Sequence, residues 1–315
     1  MSGALTVILL FLIGYASQRS GVCMVRAVRE VIARRRVHRL AGFSLAAGAA
    51  MLVMGLAEMA GARPFATILG SPPDALAVAG GVVFGLGSLL AGHCAMGLLA
   101  ALTNGELPRL GSILAMFVAA ALLGPDMSKA ALLLPPRDPL ASPLAGHPGL
   151  ALTLGTIIAI TAGSYIYRRI GWKRPKGGWS PLLAMSLIGT ASGLLFALDR
   201  HWVYTSRIAE IARGGMAGTA GTALGLAVLV AGMGAASVAE GTFRLETGTL
   251  RGWARAFASG LLMGLGATMV PGGNDAMLFT GVPLLLPNLL AAYAAFAATL
   301  FAALMLRSRV VPAGA

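Results

Sequence analysis

Of the 315 residues, 57% are hydrophobic and 43 more are Gly, whereas Asp, Glu, Lys and Arg together reach only 11%, under half of the roughly 25% in a soluble domain. Such a chain cannot cover its own surface with polar groups, and with a mean hydropathy of +0.82 this excludes a soluble enzyme and a disordered chain, while two cysteines exclude a disulfide scaffold. A formal net charge of +13, which in a soluble chain would suggest nucleic acid, belongs in a membrane chain to loop orientation, and no nucleic-acid partner is expected.

Taken in chain order, the apolar runs predict an all-α polytopic membrane protein of about nine spans. They lie near 3–17, 41–61, 75–91, 110–124, 149–167, 181–197, 215–238, 253–270 and 284–306. The first has no basic n-region and no A-x-A site, and reads as a retained helix. QRSGVCMVR follows at 18–26, and the basic cluster Arg26, Arg29, Arg34, Arg35, Arg36 and Arg39 separates runs one and two. The third run breaks into AGHCAMGLLAALTNGE at 91–106, and the eighth into VPGGNDAMLFTGVP at 270–283. Both breaks predict re-entrant loops, because irregular backbone survives at membrane depth only where protein or a wet cavity satisfies its polar groups.

A second basic cluster, Arg168, Arg169, Lys173, Arg174 and Lys176, lies an even number of crossings from the first, and Arg307 and Arg309 fall on the same side. Basic loops stay cytoplasmic, so the N-terminus is expected outside, in the periplasm of a bacterial inner membrane, and the C-terminus inside. Residues 125–148, with Pro135, Pro136 and Pro143, become an external connector. Under this topology the cytoplasmic loops hold 17 basic residues against Glu30, Glu106, Glu240 and Glu246, which is the whole excess of 13.

A weak internal repeat points the same way. A shift of 181 aligns RSGVCMVR at 19–26 with RHWVYTSR at 200–207, and a shift of 179 aligns GLGSLLAGHC at 85–94 with GLGATMVPGG at 264–273. The fifth span inserts one extra crossing, so the copies are expected to be inverted, an arrangement that places substrate sites at the repeat interface near the midplane. The single transmembrane domain then divides into a first repeat at 1–125, a connector with span five at 126–180, a second repeat at 181–306 and a cytoplasmic tail at 307–315.

Both cysteines and the unusual polar residues gather in four windows: QRSGVCMVR, LAGHCAMG at 90–97, LDRHWVYTSR at 198–207 and PGGNDAMLF at 271–279. The candidate pathway residues are Arg19, Ser20, Cys23, His93, Cys94, Arg200, His201, Gly272, Gly273, Asn274 and Asp275. A membrane cysteine can be a small packed residue, or a thiol that offers a weak S–H donor or thiolate to a sulfur-bearing solute. Arg19 and Arg200 can attract an anion or hold loop carbonyls. Asp275 can cap the short helix that follows it or contact a proton or cation, and Glu58 and Asp199 carry the same alternatives. Cys23, Cys94 and His93 are three ligands at most and show no C-x-x-C pairing, so no metal is expected. No cofactor motif and no phosphate-binding G-x-x-x-x-G-K-[ST] is present.

On QRSGVCM at 18–24, AGHCAMG at 91–97 and PGGNDAMLFTGVPLLLPNLLAAYA at 271–294, the sequence resembles the YeeE/YedE family of sulfur-transport membrane proteins, which includes thiosulfate uptake proteins. The resemblance implies nine spans in an inverted repeat and loops that plunge from both faces to an hourglass waist. There, cysteine thiols pass thiosulfate along through S–H contacts, and Cys23 and Cys94 match the cysteines of the first half. Thiosulfate transporters of the family carry a further cysteine in a late loop where this chain has PGGND, so a three-step thiol relay is excluded. The expected function is transport or channelling of a small sulfur-containing anion, with the lipid bilayer and a small cytoplasmic sulfur-carrier protein as partners. The alternatives are a membrane sulfur-relay protein bearing a persulfide on Cys94, tuned by His93, and an ion pathway through Asp275 and Glu58.

Overall fold

The computed structural model describes residues 2–66, 68–132, 139–171, 178–199, 204–212, 219–270 and 272–310. They form α1 (Ser2–Ser20), α2 (Met24–Arg34), α3 (His38–Met59), α4 (Ala75–Ala91), α5 (Ala95–Thr103), α6 (Pro108–Leu132) and α7 (Pro148–Ile170). The second part holds α8 (Pro181–Asp199), α9 (Tyr204–Ala212), α10 (Thr219–Ala239), α11 (Leu250–Met269), α12 (Asn274–Ala276), a π-helical turn over Met277–Gly281 and α13 (Pro287–Val310). Among the described residues, pairing of extended backbone is limited to isolated bridges. The fold is all-α and polytopic.

Local chemistry sets the helix ends. Four long helices, α6, α7, α8 and α13, begin at a proline, whose missing N–H costs nothing in the first turn and whose φ is already helical. Asp74 accepts from the Ala77 N–H at 2.6 Å to cap α4, and Thr249 accepts from the Gly252 N–H at 3.2 Å to cap α11. Gly92 stops α4 with φ of +76°, a conformation that disfavours any residue with a Cβ.

Among the described residues, seven helical stretches are long and apolar enough to cross a membrane, α11 with α12 and the π turn makes an eighth as a bent pair, and Pro108–Leu123 of α6 adds a shorter apolar helix. Large apolar side chains such as Ile8, Leu56, Leu122, Ile157, Ile160, Leu183 and Leu224 point outward, as a belt facing hydrocarbon requires. The helix α6 outruns its predicted span and continues to Leu132. The stretch after Cys23 is also a helix and not a loop. In α2, Met24, Val25, Ala27 and Val28 are buried while Arg26 and Arg29 are exposed, an amphipathic pattern too short and too basic to register as an apolar run.

The order long, short, long, long, short, long occurs in α1–α6 and again from α8 to α13, with α7 between. The packing repeats with it. At the centre α4 and α11 run antiparallel. A Cβ on Gly87 would meet the Ser259 carbonyl and the Met263 amide at 2.9 and 2.8 Å, and one on Gly266 would meet the Gly80 carbonyl and the Phe84 amide at 2.7 and 2.6 Å. Each of these residues maps to its counterpart by the shift of 179 read in the sequence. Outside that pair, Gly81 and Gly85 of α4 seat α13 at Ala292 and Phe296, and Gly260 and Gly264 of α11 seat α6 at Ser112 and Met116. Small residues let membrane helices approach until backbone touches backbone, which replaces the hydrophobic drive that lipid removes. Ser112 adds a hydrogen bond from its Oγ to the Ala256 carbonyl at 2.8 Å across α6 and α11.

Candidate functional site at the central constriction

The short helices of both halves start at one place in the bundle. Cys23 is the N-cap of α2, Cys94 that of α5 and Gly273 that of α12, and α9 begins at Tyr204. Cys23 and Cys94 stand 71 positions apart in the chain, yet the Cys94 N–H donates to Cys23 Sγ at 3.5 Å. Gly97 permits this closeness, since a Cβ there would lie 2.9 Å from Cys23 Sγ. From the other half, Asn274 Oδ1 accepts the Ala95 N–H at 3.3 Å across 179 positions. Ala95 and Asn274 are counterparts under the repeat, so this bond joins the halves at their shared axis.

Asp275 lies beside them. Its Oδ2 accepts from the Thr205 N–H at 3.1 Å and its Oδ1 from the Thr205 hydroxyl, whose oxygen in turn accepts from the Gly273 N–H at 2.7 Å. Asp275 thus bonds to the first turn of α9, whereas the N-cap of its own helix is Gly273, which has no side chain. Thr205 Oγ1 receives the Gly273 N–H as Cys23 Sγ receives the Cys94 N–H, and Gly273 is the counterpart of Cys94. Thr205, which the shift of 181 aligns with Met24, thus accepts with a hydroxyl in the second half as Cys23 accepts with a thiol in the first. Thr205 carries no signal in LDRHWVYTSR; only its placement against Asp275 and Gly273 singles it out. Cys23, Cys94, Thr205, Asn274 and Asp275 are all buried, so the cluster is closed to solvent. Met24 also belongs here, accepting a hydrogen bond from the Tyr293 hydroxyl at 3.7 Å.

A family model for sulphur transport matches residues 19–303. The chain belongs to the sulphur-transport family. No curated protein gave a match. Membership of the sulphur-transport family agrees with the resemblance to YeeE/YedE proteins read from the motifs, and the fold is the multi-pass membrane protein that such transport requires. Of the predicted site residues, Cys23, Cys94, Gly272, Gly273, Asn274 and Asp275 come together at the constriction. Arg200 and His201 lie outside the described residues.

Two predicted residues of this sulphur-transport protein sit elsewhere. Arg19 and Ser20 line a separate cavity of about 440 Å³ with Glu30, Arg39, Trp179 and Glu240. There Arg19 pairs with Glu240 at 3.0 Å, and the Ser20 hydroxyl donates back to the Ala16 carbonyl at 2.8 Å. Arg39 donates to the Gly21 carbonyl at 2.7 Å and fixes the turn that delivers Cys23. Glu58 accepts the Gly146 N–H at 2.7 Å and ties the end of α3 to a loop. His93 lies between the constriction and a larger cavity of about 620 Å³, whose wall includes Arg26, Arg29, Arg109, Arg255 and Arg307.

Proposed function

We propose that this chain carries a small sulfur-containing anion, thiosulfate or a close relative, across a bacterial inner membrane, and that Cys23 and Cys94 recognise its sulfur at the constriction. The observation that carries this reading is the meeting of the two cysteines at the starts of α2 and α5, in a chain of the sulphur-transport family. A thiol is a weak donor that a soft terminal sulfur accepts without being held tightly, and a solute in transit must leave each site as easily as it enters. Free N–H groups at the starts of α2 and α5 favour negative charge. In the closed form Cys23 and Asn274 occupy two of those donors, and an arriving anion takes their place. The carboxylate of Asp275 is taken up by the Thr205 N–H and hydroxyl in the first turn of α9.

The two halves, 1–125 and 181–306, act as inverted copies about this point, with 126–180 as connector and 307–315 as tail. The N-terminus is periplasmic and the C-terminus cytoplasmic, where the solute becomes available to a small sulfur-carrier protein. Transport, not turnover, is the role. Uptake of labelled thiosulfate by a transport-deficient strain expressing the chain is expected to be lost in the Cys23→Ala, Cys94→Ala double variant. Uptake that persists at the wild-type rate in that variant would end the thiol reading.

A further inference from the structure

The cavity of about 620 Å³ beside His93 has a use beyond the thiol step. Five arginines line it against two carboxylates, Glu106 and Glu246. Two of the five are committed. Arg109 pairs with Glu106 at 2.8 Å and donates to the Ala91 carbonyl at 3.2 Å, and Arg255 donates to the Leu90 carbonyl at 3.0 Å. These bonds cap the C-terminal end of α4 and fix both guanidinium groups at the wall. Arg26 and Arg29 of α2 and Arg307 of α13 form no ion pair among the described residues.

Membrane orientation explains why arginines collect on this face, but not why four separate helices aim them at one concavity that ends beside Cys94. Arg26 and Arg29 stand three positions apart and share a helix face. The other face of α2 is buried through Met24, Val25, Ala27 and Val28, and the two arginines on the exposed face line the cavity. Cations of one sign on a concave wall repel each other and concentrate a positive potential until a counter-ion arrives. Guanidinium groups match oxyanions in particular, with paired N–H donors directed at two oxygens.

We propose that this cavity is a binding site for a small tetrahedral dianion, the sulfate and thiosulfate class, held by Arg26, Arg29 and Arg307 against the fixed donors Arg109 and Arg255. It is a station on the path, separate from the thiols and reading oxygen and charge instead of sulfur. Its place on the path rests on the transport reading above; its affinity does not.

Calorimetric titration of the purified full-length protein with sodium thiosulfate, at low ionic strength, tests it. Saturable binding is expected that weakens as salt rises, and inorganic sulfate should compete for the same site. Affinity should fall by about tenfold or more in the Arg26→Gln, Arg29→Gln double variant, for inorganic sulfate, which has no terminal sulfur for a thiol to read, as well as for thiosulfate. If the double arginine variant does not fold, Arg307→Gln, on the exposed end of α13, should lower the affinity alone. Undiminished binding in whichever arginine variant folds, or no binding of inorganic sulfate by the wild-type protein, overturns the site. An anionic phospholipid that stays bound in native mass spectrometry and departs with Arg26 and Arg29 gives the arginines to a lipid headgroup, which also overturns it. Uptake indifferent to the cysteines would sink the thiol path and leave this binding result standing.

Discussion

Thr205 and Cys23 show how two halves of similar backbone can carry different chemistry. Each accepts an N–H from the residue that opens the neighbouring short helix, Gly273 in one case and Cys94 in the other. Thr205 also donates its hydroxyl proton to Asp275, so Thr205→Ala strands a buried carboxylate oxygen and a buried amide together. Stranded groups of this kind cost about 1–3 kcal/mol each, and thermal unfolding in detergent should register the loss. Thr205→Ser, which keeps the oxygen, should unfold near the wild-type temperature. A Thr205→Ala protein as stable as wild type would mean that water replaces the hydroxyl and that the network is not structural. Asparagine and aspartate inside a Gly-rich break of an apolar run are costly at that depth, and the chain has only two cysteines, which is why Asn274, Asp275, Cys23 and Cys94 stood out as candidates. A threonine in an ordinary polar loop costs nothing and gives no such signal.

At the level of helices, glycine placement carries the packing. The shift of 179 was a faint alignment in a chain rich in Gly and Ala, and became physical when Gly87 and Gly266 proved to occupy reciprocal positions between α4 and α11. A Cβ at either one meets backbone, which cannot rotate out of the way as a side chain can. Gly87→Ala and Gly266→Ala are each expected to destabilise by about 1–3 kcal/mol, and by similar amounts because their surroundings correspond. Gly221→Ala, where a Cβ would find nothing within 4 Å, should be neutral or slightly stabilising, since Ala is the better helix former. Equal unfolding temperatures for all three variants would remove the case for a glycine-set axis. The long helices were visible as apolar runs because burial in hydrocarbon is decided residue by residue along the segment. The short helices α2 and α9 were not, because their stability comes from neighbours that sequence periodicity over nine to eleven residues does not name.

For the whole molecule the charge distribution predicts an orientation that fusions can test. A fluorescent protein fused after Arg309 should be bright, and alkaline phosphatase should be inactive there but active when fused after Pro143, in the connector. The reverse pattern would turn the chain over and place the arginine cavity at the periplasm. The sequence alone settled that the chain is a multi-pass membrane protein and predicts where its apolar runs lie and an excess of charge on one face, because transfer free energy and loop charge add up locally. Only the folded molecule decided that Cys23 touches Cys94, that Asn274 reaches across to Ala95, that Arg19 faces Glu240 instead of the constriction, and that four helices turn arginines to one cavity. Those contacts join segments up to 179 positions apart, and their geometry depends on how closely glycine lets each pair of helices approach.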